Sequence, residues 1–146
     1  MFDLTAEEAR LLLNVAMMAT GGNRFQSAAK IFAALERFRP SSPQVAAGKA
    51  IALVSAQQFE ACVDYLDDEA LRKFPGDPML LAFKGMALFR MKRNVEAREP
   101  LEQAAAQKAD PAAANLATGI LTDIEGLKVT VVKNMPGKTI TMYSRA

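Results

Sequence analysis

Three dipeptides punctuate the chain at nearly equal intervals: Ser42-Pro43, Asp77-Pro78 and Asp110-Pro111, 35 and 33 residues apart. Each joins a side chain that accepts hydrogen bonds from the first N–H groups of a helix to a proline, which needs no amide hydrogen at the first helical position. Each therefore reads as a helix start. A fourth start stands at Thr5, where Thr5 and Glu8 have the spacing of a capping box ahead of the apolar run Ala9 to Ala19. A period of this size constrains the fold more than any other feature, because a unit of 20 to 50 residues is one supersecondary element that buries its apolar face only by stacking on a neighbour.

A second class of helix falls between these starts, in the segments FQSAAKIFAAL, FEACVDYL and NVEAREPL. In each, a small residue (Ala28, Cys62, Ala97) precedes a bulky one four positions on (Phe32, Leu66, Leu101), and the set recurs with one inserted residue. The proline-marked helices carry their own register of small residues at Ala16, Ala50 and Gly85, followed three positions later by Ala19, Leu53 and Leu88. Small residues at fixed positions let paired helices approach closely. The expected fold is all-α: three helix-turn-helix repeats, with Pro100 bending the last second helix, and a capping helix over Pro111 to Glu125. After Gly126 the pattern changes to β-branched Leu127 to Val132, a turn at Asn134-Met135-Pro136-Gly137, and β-like Thr139 to Tyr143. Residues 1–126 are expected to form the helical repeat domain, and residues 127–146 a basic tail able to form a β-hairpin.

Composition narrows the function. With 51% hydrophobic and 23% charged residues the 146-residue chain can bury a core as one domain. It has no histidine and one cysteine, Cys62, so a Ser-His-Asp triad, a Cys-His dyad, a zinc knuckle and an internal disulfide are all closed to it. Cys62, Asp64 and Tyr65 lie close in sequence without a base or metal set beside them, so an enzyme is the poorest reading and no cofactor or metal is expected. The acidic start MFDLTAEEAR is unlike a secretory signal, and no uncharged stretch approaches the roughly 20 residues of a membrane helix. A cytoplasmic protein that binds another protein, without membrane insertion, is the expectation. Residues 1–126 hold 14 basic and 16 acidic side chains, whereas residues 127–146 hold Lys128, Lys133, Lys138 and Arg145 and no acid. The acidic cluster Asp64, Asp67, Asp68 and Glu69 and the basic cluster Arg90, Lys92, Arg93 and Arg98 read as solvated helix ends; without interleaved aromatics the latter is no nucleic-acid footprint.

The small and large positions resemble the tetratricopeptide repeat, a helix-turn-helix unit of about 34 residues. Units beginning at Ala9, Pro43 and Pro78 place Ala16, Ala50 and Gly85, then Ala28, Cys62 and Ala97, then Phe32, Leu66 and Leu101, at the family's defining positions, and Pro40 supplies the terminal proline of the first. The resemblance covers about two thirds of the chain. It implies a concave wall built by the first helix of each pair, presenting Arg10, Leu13, Met17 and Thr20, then Gln44, Ala47, Ile51 and Val54, then Met79, Ala82, Met86 and Phe89. That wall is apolar, with Leu13 and Met17 where family members that grip a carboxylate carry Lys and Asn. As a whole it suits an amphipathic helix, although Met17, Met79, Met86 and Phe89 taken singly fit inter-repeat core better.

A narrower resemblance lies in NVAMMATGGNRFQSAAKIFAALERFRP, where Val15, Ala16, Thr20, Gly21, Ala28 and Ile31 are similar to the small bacterial type III secretion chaperones of the tetratricopeptide class that hold the needle subunit. This implies a groove clasping the amphipathic C-terminal helix of a self-polymerising secreted subunit, with a small helical co-chaperone on another face. Two alternatives stand beside it: a chaperone of translocator proteins, and a general adaptor or assembly scaffold, with a homodimer among its possible forms.

Overall fold

Every proline-marked start opens a helix. The computed structural model describes residues 4–134, with side chains through residue 126. In chain order the helices are α1 (Ala6–Gly21), α2 (Phe25–Phe38), α3 (Pro43–Ser55), α4 (Phe59–Tyr65), α5 (Leu71–Lys73), α6 (Pro78–Arg90), α7 (Asn94–Ala106) and α8 (Pro111–Asn134), with a π-helical turn, Leu66–Ala70, joining α4 to α5. The described residues contain no strand, so the all-α expectation stands. Ser42, Asp77 and Asp110 each cap as their chemistry requires: Ser42 Oγ accepts from Val45 N–H at 3.3 Å, Asp77 Oδ1 from Leu80 N–H at 3.0 Å and Asp110 Oδ1 from Ala113 N–H at 3.1 Å. At Thr5 the capping box closes both ways, its Oγ1 accepting from Glu8 N–H at 3.2 Å while its own N–H donates to Glu8 Oε2 at 2.9 Å.

The turns inside the helix pairs are built alike three times. Asn23, Gln57 and Lys92 adopt positive φ of 61°, 60° and 63°. The N–H of the next residue reaches back to a carbonyl five residues earlier: Arg24 to Ala19 at 2.8 Å, Gln58 to Leu53 at 2.9 Å and Arg93 to Leu88 at 2.9 Å. This pairing satisfies orphan carbonyls at a helix C-terminus, and it needs one residue in the left-handed region. The carbonyls used are those of Ala19, Leu53 and Leu88, the same register found in the sequence.

The one inserted residue of the middle unit becomes the π turn. In α2 and α7 a buried residue follows the large one after three positions, at Leu35 and Ala104; in the middle unit it follows Leu66 after four, at Ala70. Widening a single turn keeps Ala70 facing the core and displaces the extra residue to the exposed side, among Asp67, Asp68 and Glu69. Pro100 is likewise absorbed, since α7 runs unbroken through it.

Helices α1, α3, α6 and α8 pack side by side in one row, while α2, α4 and α7 each pack between two members of that row. The result is a helical repeat-like stack. All six small and large anchors of the second helices, Ala28, Cys62, Ala97, Phe32, Leu66 and Leu101, are fully buried. One core cluster gathers Ala16, Ala28, Phe32, Leu35 and Val45 around the first pair, and a larger one runs from Ala46 to Ile124. Ala113, Ala117, Ile120 and Ile124 on one face of α8 close the far end.

One expectation fails among the described residues. Leu127 to Val132, read as a first β-strand, continues α8 to Asn134 without a break at Gly126. A helix already nucleated over Pro111 to Glu125 gains one hydrogen bond for each residue added, whereas an isolated hairpin is marginal and β-propensity is a weak preference without a sheet to pack in. The expected turn begins at Asn134, the last residue of α8; residues 135–137 and the second strand, Thr139 to Tyr143, lie outside the described residues.

Candidate binding site

The inner row of helices positions the site. On α1, Leu13 and Met17 are one turn apart and face α3; on α3, Ala47 and Ile51 repeat that spacing; on α6, Met79 and Phe83 do so again. Together with Gln44 and the proline and glycine of α3, Pro43 and Gly48, these side chains line a trough of about 420 Å³. Its floor is apolar. Its rim is acidic, because Asp77 and Asp110, as caps of α6 and α8, stand where successive inner helices begin.

Leu13, Met17, Ala47, Ile51 and Met79 of the predicted wall thus come together in one trough, each half-buried. Val54, Met86 and Phe89 are half-buried against the larger core cluster and do not line it. Ala82 is fully buried within that core. Periodicity alone missed Phe83 and Gly48. Phe83 has its signal four residues after Met79, but Gly48 has none: it sits where an added Cβ would lie 2.6 Å from Phe32 Cε1 and 3.1 Å from Leu13 Cδ1, a closeness only packing reveals.

The titratable groups of the middle unit are engaged in packing. Cys62 is fully buried, its Sγ 3.7 Å from the Ala50 carbonyl, and burial pushes its thiol up to about 12. Tyr65 Oη donates to Glu36 Oε1 at 2.8 Å, and burial together with that carboxylate raises its pKa. Lys49 Nζ donates to the other Glu36 oxygen at 3.2 Å and lies 4.3 Å from the centre of the Tyr65 ring, so α2, α3 and α4 are tied at one point. Asp64 is exposed on α4. The charged clusters are partly spent in ion pairs: across elements Asp67 pairs with Lys84 at 2.7 Å, Arg93 with Glu60 and Arg98 with Glu125, and along α7 Arg93 pairs with Glu96 and Arg98 with Glu102, while Arg90 lies over the Phe59 ring. Among the described residues no three His, Cys, Asp or Glu side chains gather as a metal centre requires, and no helix is long and apolar enough to cross a membrane.

No known protein family, no curated protein and no solved structure matches this chain.

Proposed function

We propose that this protein is a tetratricopeptide-like chaperone of three units closed by α8, and that it holds a secreted, self-polymerising subunit of the type III needle kind by one amphipathic helix laid in the trough. The observation that carries the reading is the apolar floor of Leu13, Met17, Ala47, Ile51 and Met79 on three successive inner helices, half-buried with its mouth open. A helix presents apolar side chains at i, i+3, i+4 and i+7, which match a line of contacts crossing α1, α3 and α6, and the thioethers of Met17 and Met79 adapt to their shape. A wall held by buried anchors such as Phe32 and Leu66 is preorganised, so little ordering cost falls on binding. Covering the helix that a subunit uses to polymerise keeps it monomeric by mass action, with no chemistry needed.

The test is co-expression with a small, helical, self-polymerising subunit of the needle kind. The expected result is a stable complex whose subunit polymerises once the chaperone is removed, and Ile51→Asp or Met17→Asp should release it while leaving the helical circular dichroism unchanged. A subunit that stays bound to Ile51→Asp, or that never binds the wild-type chain, overturns the proposal.

A further inference from the structure

The lining of the trough joins an apolar floor to two acids, Asp77 and Asp110, and holds no base. Neither carboxylate enters an ion pair among the described residues. Both stand at helix starts beside the trough, so α6 and α8 begin at the same end of the stack. Helix α8 has 24 residues and α6 has 13, and the chain leaves α8 at Asn134, about 35 Å beyond the level of Asp110 at 1.5 Å per residue. The floor, Ala47 to Ile51 on α3 and Met79 to Phe83 on α6, lies roughly 23 to 33 Å back along that direction. A sideways step of one or two helix spacings lengthens the path by only about 2 to 5 Å.

The residues that follow α8 match this site in sign and in reach. Residues 135–146 hold Lys138 and Arg145 and no acid, with Ile140, Met142 and Tyr143 between the two cations. At about 3.3 to 3.6 Å per residue, an extended return from Asn134 carries Tyr143 about 30 Å, onto the floor, and Arg145 about 36 to 40 Å, to the acidic rim. Two residues apart, they project from the same side of an extended chain. We infer that residues 135–146 are the resident occupant of the trough, folded back with Tyr143 on the apolar floor and Arg145 against Asp77 and Asp110, and that an incoming helix displaces them. This rests on the reading of the trough as the site of an apolar guest. A tethered segment meets its own site at an effective concentration on the order of millimolar, so it shields the floor when no partner is present. It also competes, lowering a partner's apparent affinity by the fraction of time the trough is open.

A Tyr143→Trp chain, which has no other tryptophan, reports where the segment lies. Its emission is expected to be blue-shifted and protected from acrylamide. Asp77→Asn with Asp110→Asn keeps both helix caps and removes both rim charges, and it should expose the indole, as should Arg145→Glu or Ile51→Asp. Oxidation of a chain carrying Gln44→Cys at the rim and Ser144→Cys should close a disulfide within one molecule. Val15→Cys, half-exposed on the side of α1 turned away from Leu13 and Met17, should form none with Ser144→Cys. Arg145→Glu should tighten binding of the needle-kind subunit by about three- to tenfold. An indole exposed in the otherwise wild-type chain, a disulfide formed only between two molecules, or Arg145→Glu that leaves subunit binding unchanged would overturn the inference. A subunit that binds neither chain, with the indole still buried, overturns the proposed function and leaves the segment's docking in place.

Discussion

Leu101 rests on the bare backbone of Gly85: a methyl group added there would lie 2.4 Å from Leu101 Cγ and 2.5 Å from its Cδ2, closer than real Cβ contacts come. The two residues hold α6 and α7 together at the same register where Ala16 and Ala50 stand in the earlier helices. Gly85→Ala should therefore destabilise the protein by roughly 1 to 2 kcal/mol, overpacking outweighing the gain in helix propensity. Denaturant unfolding checks it, and Leu101→Ala in the same chain should relieve part of the loss, giving a non-zero coupling in a double-mutant cycle. Gly119→Ala is the control: its site in α8 has nothing within 4 Å, and it should stabilise by about 0.5 to 1 kcal/mol.

The three turns with positive φ predict an asymmetric response to glycine. Gln57 and Lys92 carry the steric cost of the left-handed conformation, on the order of 1 to 2 kcal/mol, against roughly 0.5 to 1 kcal/mol of extra backbone entropy for glycine. Gln57→Gly and Lys92→Gly should each raise the thermal midpoint. Asn23→Gly should change it little, because asparagine tolerates that region.

The π turn predicts where the chain accepts a deletion. Removing Asp68 takes out the residue that the widened turn displaces, so α4 and α5 should join as one α-helix with Ala70 still inward and a stability change of less than about 2 kcal/mol. Removing Ala33 from the matching stretch of α2 turns every following residue of that helix by 100°, swings Leu35 out of the core and should abolish cooperative unfolding. Thermal melts followed by circular dichroism separate the two outcomes.

Burial of Cys62 couples stability to alkaline pH. Its thiol ionises near 9.0 when exposed and near about 12 in the fold, so below 9 both states are protonated and the contribution is fully present. As pH rises above 9 the unfolded chain loses its proton first, and stability falls by up to about 1.4 kcal/mol per pH unit until the folded thiol itself titrates. Comparing wild type with Cys62→Ala between pH 9 and 11 isolates this slope, which should be shallower in the variant. At pH 8 a disulfide reagent should label Cys62 only as fast as the protein opens.

The positions of the helices were legible in the chain because their signals are local. A capping side chain followed by proline acts on the next few residues, and it marked Ser42, Asp77 and Asp110 correctly. The small and large anchors were legible for a related reason: a repeated unit meets the same neighbour each time, so Ala28, Cys62 and Ala97 recur and are all buried. Local signals failed where two local preferences competed, at Leu127 to Val132, which continue α8 because the helix before them is already formed.

Tertiary structure alone decided the rest. Which apolar residues of the inner helices stay open and which sink depends on how far neighbouring helices approach, and that distance is set by pairs remote in sequence, such as Gly48 with Phe32 and Gly85 with Leu101. Hence Leu13, Met17, Ala47, Ile51 and Met79 gather in a trough while Ala82, read from the same periodicity, closes into the core. The acidic rim arises in the same way, since Asp77 and Asp110 are 33 residues apart in the chain and come to line one trough only when α6 and α8 stack. Helical periodicity records which face a residue lies on; burial is decided by what packs against that face.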